Sequence, residues 1–362
     1  MTDAEQSAAL LAWYARHARS LPWRDDPQPY HVLLSELLCQ QTRIATALPY
    51  YERFVATWPT LDHLAAADED DVLKAWAGLG YYRRARALHA AAKAAVALGG
   101  LPDQVEGLRK LPGIGPYTAG AIASIAFGRR APAVDGNVER VVSRLDRAPE
   151  EPWTAAGKRA LHGRVQRLHD ALGPGDAPGD LTQALMELGA TVCTPTQPDC
   201  GACPVAEGCA ARAAGDTTTW PRKRAKTPPK RIQAVAGLAA IDGRPLLARR
   251  PPSGLLAGLW EPVGGPLATD ADVGATLVSA FAERVALEAR VVAKLGTVTH
   301  VFSHRHLTLE VFRVEVSGVP EARSFYQAVG AVDPATVGLS KLARKAMALG
   351  ERPPLLLAAD GP

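Results

Sequence analysis

No apolar run in this chain of 362 residues approaches the roughly 18 residues that a helix needs to cross a bilayer, which argues against a membrane partner. An export signal is lacking as well. Residues 2–20 mix Glu5, Arg16, His17 and Arg19 into a helical pattern with Leu10, Trp13 and Tyr14, so a cytoplasmic location is expected. No internal repeat is visible. Neither sign of charge dominates: 41 Lys and Arg against 37 Asp and Glu leave a net +4, too little by itself to indicate a polyanionic partner. Cysteine is scarce, with five in all, yet four fall between residues 193 and 209. Without an export signal, such clustering reads as metal ligation before disulfide formation.

What is present is an ordinary globular composition, 47% hydrophobic and 22% charged, in a chain long enough for two domains. Residues 1–216 read as helical. Ala- and Leu-rich stretches at helical spacing are broken at Pro49, Pro59, Gly99-Gly100 and Pro112-Gly113, with little period-two alternation. Residues 220–231 hold six Lys or Arg and no acid, so 217–231 reads as a basic linker. Beyond it, 232–241 and 245–249 resemble strands, 272–288 a helix, 289–316 further strands and 340–349 a closing helix. Alternation at Leu307, Leu309 and Val311 changes phase to Phe312, Val314 and Val316, which hints at a bulge.

Cys193, Cys200, Cys203 and Cys209 are separated by six, two and five residues. Thiolates converging from one compact loop suit iron–sulfur or zinc. Zinc sites of this donor type usually come as two close pairs. Here one close pair is flanked by wider gaps, which suits a cubane iron–sulfur cluster better; zinc and an incidental grouping are the alternatives.

Leu111-Pro112-Gly113-Ile114-Gly115 joins two helical patterns, with Pro116 placed for a first turn. Gly113 and Gly115 leave backbone N–H groups uncovered at a helix start, an arrangement suited to a DNA phosphate; a plain helix connection is the alternative. Upstream, a helix over residues 30–48 puts Leu33, Leu34, Leu37, Leu38, Ile44, Ala45 and Leu48 on one apolar stripe. Glu36, Gln40 and Arg43 line up beside that stripe. Desolvation at its edge would keep Glu36 protonated, as a general acid requires; a solvated glutamate paired with Gln40 or Arg43 is the alternative. Gln41 falls inside the stripe, where a buried amide needs partners. Asp135-Gly136-Asn137 has the composition of a turn.

LPGIG (111–115), VDGN (134–137) and the cysteine loop together resemble the helix–hairpin–helix DNA glycosylases of the endonuclease III type. LPWR (21–24), SELLCQQTR (35–43), GLGYYRRAR (78–86) and LPGIGPYTAGAI (111–122) resemble the MutY-type adenine glycosylases in particular, and the likeness covers nearly the whole chain. It implies that Glu36 protonates the adenine ring and that Asp135 stabilises the cationic sugar, shielding it or bonding to it until water adds. Asn137 would position the sugar or the water. Strand-cutting relatives carry a nucleophilic lysine where this chain has Tyr117, so monofunctional base removal is expected. Arg24 and Glu187 match positions near the target adenine. Gln41 would press into the duplex near the mismatch, and Tyr81 would wedge beside the damaged guanine; a core tyrosine is its alternative. At Cys39 the chain departs from the large aliphatic residue more usual in the family.

By the same resemblance the four cysteines hold a 4Fe–4S cluster, and the fold is multidomain. An all-α helix–hairpin–helix region with a cluster loop spans 1–216, with six helices over about 22–132 and a cluster domain from 1–21 and 133–216. A C-terminal α/β Nudix-like domain spans 232–362, carried by GLLAGLWEPVGG (254–265). Its helix offers Glu283 and Glu288 but not the RExxEE cluster of Nudix hydrolases, so it is expected to read the lesion instead. Phe302, Ser303 and His304 match the family's lesion-reading turn, Ser303 bonding the oxidised base and His304 a phosphate or Ser303. The partner implied is double-stranded DNA with an A:8-oxoguanine or A:G mispair, bound by a monomer, in a bacterial nucleoid. A lyase acting on oxidised pyrimidines and a non-catalytic cluster-bearing DNA sensor are the rivals.

Overall fold

Thr2 opens the first helix, Asp3–His17, with a capping box: its hydroxyl accepts from Glu5 N, and the Glu5 carboxylate accepts from Thr2 N. The computed structural model describes residues 1–148, 150–224, 228–302, 305–323 and 325–351. It divides into two units, Met1–Ala66 with Ala87–Ala225, and Ala67–Arg86 with Lys226–Pro362. Among the described residues no helix is long and apolar enough to cross a membrane.

The first unit is helical. Pro29, Pro116 and Pro178 each occupy the first turn of a helix (Pro29–Cys39, Pro116–Ile125 and Pro178–Thr191), where their fixed φ helps and their missing N–H costs nothing. The Pro29–Cys39 helix packs against Ile44–Thr57 and Pro116–Ile125. Leu10, Trp13, Val138, Val142, Leu161, Leu185 and Leu188 join a second core, so the Asp3–His17 helix packs with the late helices Gly136–Asp146, Ala155–Asp170 and Pro178–Thr191.

One continuous helix over 30–48 is not what forms. The first helix ends at Cys39, Gln41 takes a left-handed φ of 55°, and a new helix begins at Ile44 after an extended Arg43. Thr42 N bonds Cys39 O at 3.2 Å, closing a tight turn. Gln41 is therefore exposed, not a buried amide, and Glu36 and Arg43 do not share one helical face. No Gly or Pro lies between Cys39 and Ile44, so hydrophobic period runs straight through a break that has no punctuation.

The second unit is built on a mixed sheet of seven strands among the described residues: β1 (Lys230–Leu238), β2 (Ala240–Ile241), β3 (Arg244–Arg249), β4 (Trp260–Pro266), β5 (Glu288–Phe302), β6 (Arg305–Ser317) and β7 (Ala328–Ala331). The order is β2-β3-β4-β1-β6-β5, with β7 also on β3; β1 and β6 are parallel and the other pairs antiparallel. The Val273–Val285 helix covers one face with Val235, Val314 and Phe281, and the Lys341–Gly350 helix the other with Ala236, Leu309 and Val311. This explains the phase change along β6. Leu309 and Val311 face one helix and Val314 the other, so successive stretches bury opposite faces without a bulge in that strand. The register shifts lie on its partner β5, between Val291 and Ala293 and between Lys294 and Gly296. The Val273–Val285 helix stops at a left-handed Ala286, which puts Glu288 on β5 bonded to Ser317 Oγ.

Candidate active site

Glu36 lies on the Pro29–Cys39 helix and Tyr117 on the Pro116–Ile125 helix that packs against it. The Tyr117 hydroxyl donates to Glu36 Oε2. Burial pushes the Glu36 carboxyl up to about 7, against the pull of the Tyr117 hydrogen bond and with help from the Asp135 charge. Such a group carries its proton roughly half the time near neutral pH, as a general acid needs. Tyr117 is driven well above its ordinary value, by burial first and then by the Glu36 and Asp135 charges, so it stays a donor.

Asp135 is the N-cap of the Gly136–Asp146 helix. Its Oδ1 accepts from Asn137 N at 2.9 Å and Val138 N at 2.7 Å, and its Oδ2 from Asn137 Nδ2 at 2.8 Å. Burial raises this carboxyl, and those hydrogen bonds oppose the rise by favouring the anion. The two carboxyl groups thus have different surroundings, one buried with a single tyrosine donor and one clasped by a helix start. That division suits one acid and one charge stabiliser.

Asn137 Oδ1 accepts from Arg140 Nη2 at 2.9 Å; the same nitrogen donates to Gly189 O at 2.6 Å, and Arg140 Nε to Cys193 O at 2.7 Å. Residue 189 must be glycine, because a Cβ there would sit 2.6 Å from Asn137 Cβ. Arg140 therefore joins the Asp135–Asn137 pair to the backbone of the first cysteine.

Cys193, Cys200, Cys203 and Cys209, all free thiols, line one cavity with Arg144 and Arg212. Among the described residues no group of three or more His, Cys, Asp or Glu is arranged to hold a metal ion. The surroundings of the thiols bear on what they could hold. Arg144 is 1% exposed, and its guanidinium reaches Trp220 O, Thr194 O, Pro195 O and, at 3.3 Å, Cys193 Sγ. No carboxylate pairs with it among the described residues, so its buried charge calls for a thiolate. Burial pushes the Cys203 thiol up to about 11 and raises Cys209; deprotonation has to come from a bound metal.

Glu187 is fully buried and accepts from Arg19 Nε at 2.5 Å, Arg19 Nη2 at 2.8 Å and Arg24 Nη2 at 2.8 Å. Burial pushes it upward, but the hydrogen bonds and charges of the two arginines outweigh this and hold it below its ordinary value. Arg24 also lies over the Tyr14 ring. Gly113 has a φ of 73°, and a Cβ on it would meet Ala87 Cβ at 2.3 Å. Gly115 is the N-cap of the next helix, with open space where its Cβ would be. Beside the turn that carries Gln41, Gln40 Nε2 donates to Thr118 Oγ1 at 3.2 Å.

In the second unit, Tyr81 is left-handed at φ 47°, between Gly80 and the Arg83–Ala97 helix. Tyr81 and Phe302 line one cavity of about 570 Å³. Phe302 ends β5, its ring edge-on to His300 at 4.5 Å. Ser303 and His304 lie outside the described residues. Gln41 and Tyr81 are two of only seven non-glycine residues at positive φ among those described, a backbone cost that concentrates where side chains have to be aimed.

Sequence reasoning missed Arg19, Arg140 and Arg144. A buried glutamate needs counter-charge, so Glu187 could have prompted a search for a second arginine, but nothing local marks Arg19. Arg140 and Arg144 sit at i, i+4 after the Asp135 turn, which places both on one helix face.

A family model described as HhH-GPD superfamily base excision DNA repair protein matches residues 34–166, and one described as NUDIX domain matches residues 234–349. The chain is similar to an adenine DNA glycosylase from Homo sapiens, 37% identical over 368 residues, covering 86% of this chain and 67% of that one. It is similar to an adenine DNA glycosylase from Mycobacterium tuberculosis, 42% identical over 233 residues, covering 63% of this chain and 72% of that one. Among solved structures it is similar to a thermostable thymine-DNA glycosylase, with a TM-score of 0.52 and 26% identity, over 57% of this chain and 95% of the other.

Proposed function

The chain belongs to the adenine DNA glycosylase family, and on that premise we propose that it is a monofunctional enzyme removing adenine mispaired with 8-oxoguanine or guanine, acting as a monomer with a 4Fe–4S cluster. A DNA N-glycosylase of base excision repair has to protonate the leaving base and stabilise a cationic sugar, which takes one proton donor and one anion. The observation that carries the reading is Glu36, a carboxyl raised to about 7 by burial and hydrogen-bonded by Tyr117, beside the capped carboxylate of Asp135.

The course is as follows. Adenine leaves the stack, and Glu36 gives its proton to a ring nitrogen. The N-glycosidic bond breaks with its electron pair going to the base. The Asp135 carboxylate, held by Asn137 and Val138, faces the sugar cation. Water adds to that cation, and its proton returns to the Glu36 carboxylate. Tyr117 offers no amine to attack the sugar, so no Schiff base forms and the strand stays whole. Arg24 and Glu187 would border the adenine, and the amides of Gly113 and Gly115 would hold a phosphate. Gln41 would enter the duplex at the mismatch, and Tyr81, Phe302, Ser303 and His304 would address the opposite base. The four cysteines would hold the cluster, which when bound would fix the loop that they span.

The test is release of free adenine, followed by chromatography, from duplexes with A opposite 8-oxoguanine, G or T. Release from the first two and none from A:T supports the reading. Equal release from all three refutes the mispair specificity.

A further inference from the structure

The cavity of about 570 Å³ that holds Tyr81 and Phe302 also carries Arg83, Arg86, Arg305 and Lys341, with no carboxylate among its lining residues. Three other cavities of the same unit each set an acid beside a cation: Asp333 with Arg244, Glu315 with Arg313, and Glu261 with Arg250, the last in a cavity that Arg305 also lines but with its carboxylate already paired to Arg250 at 2.7 Å. Arg86 has its charge answered by Glu69, Nε to Oε1 at 3.2 Å. Arg83, Arg305 and Lys341 are exposed and have no carboxylate partner among the described residues. Burial lowers the pKa of His300 in the same lining, and the charges of Lys345 and of Lys341 lower it further.

Apolar surface is exposed at the same place. Of eight large hydrophobic side chains exposed among the described residues, Tyr81, Leu255 and Val301, at 45%, 39% and 69%, line this one cavity. A cationic rim over an uncovered aromatic and aliphatic wall asks for a ligand that is both anionic and flat. An acidic peptide supplies the charge without the flat face; a nucleic-acid strand supplies both.

We propose that Arg83, Arg305 and Lys341 form a phosphate-binding rim for the DNA strand that faces the excised adenine, with a base of that strand lying over the wall made by Tyr81, Leu255 and Val301. This rests on the reading that Tyr81 and Phe302 address the opposite base. It adds a sequence-blind grip to that site: the rim supplies affinity and register, and the wall meets the base.

The test uses the full chain in a Glu36→Gln background, so that substrate persists. Binding to duplexes with A:8-oxoguanine or A:T is measured against KCl concentration by fluorescence anisotropy. Each lost phosphate contact should lower the slope of log K on log salt by about 0.9, so Arg305→Gln with Lys341→Gln should lower it by about 1.8 on both duplexes. Arg305→Lys with Lys341→Arg should restore the slope, which separates charge from damage to the fold. A slope change under about 0.5, a loss confined to the 8-oxoguanine duplex, or failure of the exchange to restore it would overturn the proposal. If the parent shows no preference for the mispair while the slope still falls on both duplexes, the lesion reading fails and the phosphate rim stands.

Discussion

The Tyr117 hydroxyl donates to the Glu36 carboxyl across two packed helices, and that bond is the one influence holding down a pKa that burial and Asp135 drive upward. A tyrosine at this position therefore does two things: it withholds the amine a lyase would use, and it tunes the acid.

Tyr117→Phe should move the alkaline limb of the single-turnover excision profile, expected near pH 7, to higher pH by up to about one unit. The sign follows from losing a donor that favours the ionised form. Rates measured from about pH 5 to about pH 9 check this. A limb that stays put or moves down contradicts the role given to Tyr117.

Glu36→Gln should abolish excision and yet stabilise the protein at alkaline pH. The Glu36 pKa lies at about 7 in the folded protein against 4.5 for a free group, so the folded state holds the proton more tightly. The stabilisation from that proton is full below the free value and is lost as pH rises through about 7. Glutamine still accepts from Tyr117 without a charge to desolvate. Denaturant unfolding should show the variant more stable than the parent by about 2–3 kcal/mol at about pH 8, and indistinguishable from it at about pH 4.

Gly113→Ala and Gly115→Ala should separate folding from binding. At Gly113 a left-handed backbone and a Cβ only 2.3 Å from Ala87 Cβ act together, costing about 2–4 kcal/mol. At Gly115 a Cβ meets nothing within 4 Å, so thermal unfolding should scarcely change. Its DNA affinity should fall, because the methyl group crowds the amides that would meet a phosphate.

Arg140→Met should lower excision about 10- to 100-fold while leaving DNA binding largely intact. It strips the donor from Asn137 Oδ1, Gly189 O and Cys193 O at once, and Asn137 supplies two of the three hydrogen bonds to Asp135. A variant losing binding and excision in equal measure would show a general collapse of the helix start instead.

Anaerobically purified protein should contain iron and acid-labile sulfide at about four each per chain and no zinc. Cys203→Ser should lower both together. One zinc per chain would return the cysteine spacing to its alternative.

Much of the site was legible because its residues sit in short, punctuated motifs. Gly113, Gly115 and Pro116 mark a hairpin, and Asp135-Gly136-Asn137 marks a turn that is also a helix start. The break at Gln41 was not legible, since residues 40–43 carry no glycine or proline and the apolar period runs on regardless. The phase change in β6 was visible but had the wrong cause assigned, because alternation along one strand cannot say which face a distant helix will cover. Arg19 was invisible for a similar reason: its partner Glu187 is 168 positions away, and only the tertiary fold brings the two together.

The central claim is adenine removal without strand cleavage. Purified protein with its cluster intact is incubated with a duplex carrying one A:8-oxoguanine pair, and half of the sample is then heated in alkali. The account predicts strand breaks at the adenine in the alkali-treated half alone. Breaks in the untreated half would contradict the reading of Tyr117, and no breaks in either half would contradict the assignment of Glu36 and Asp135.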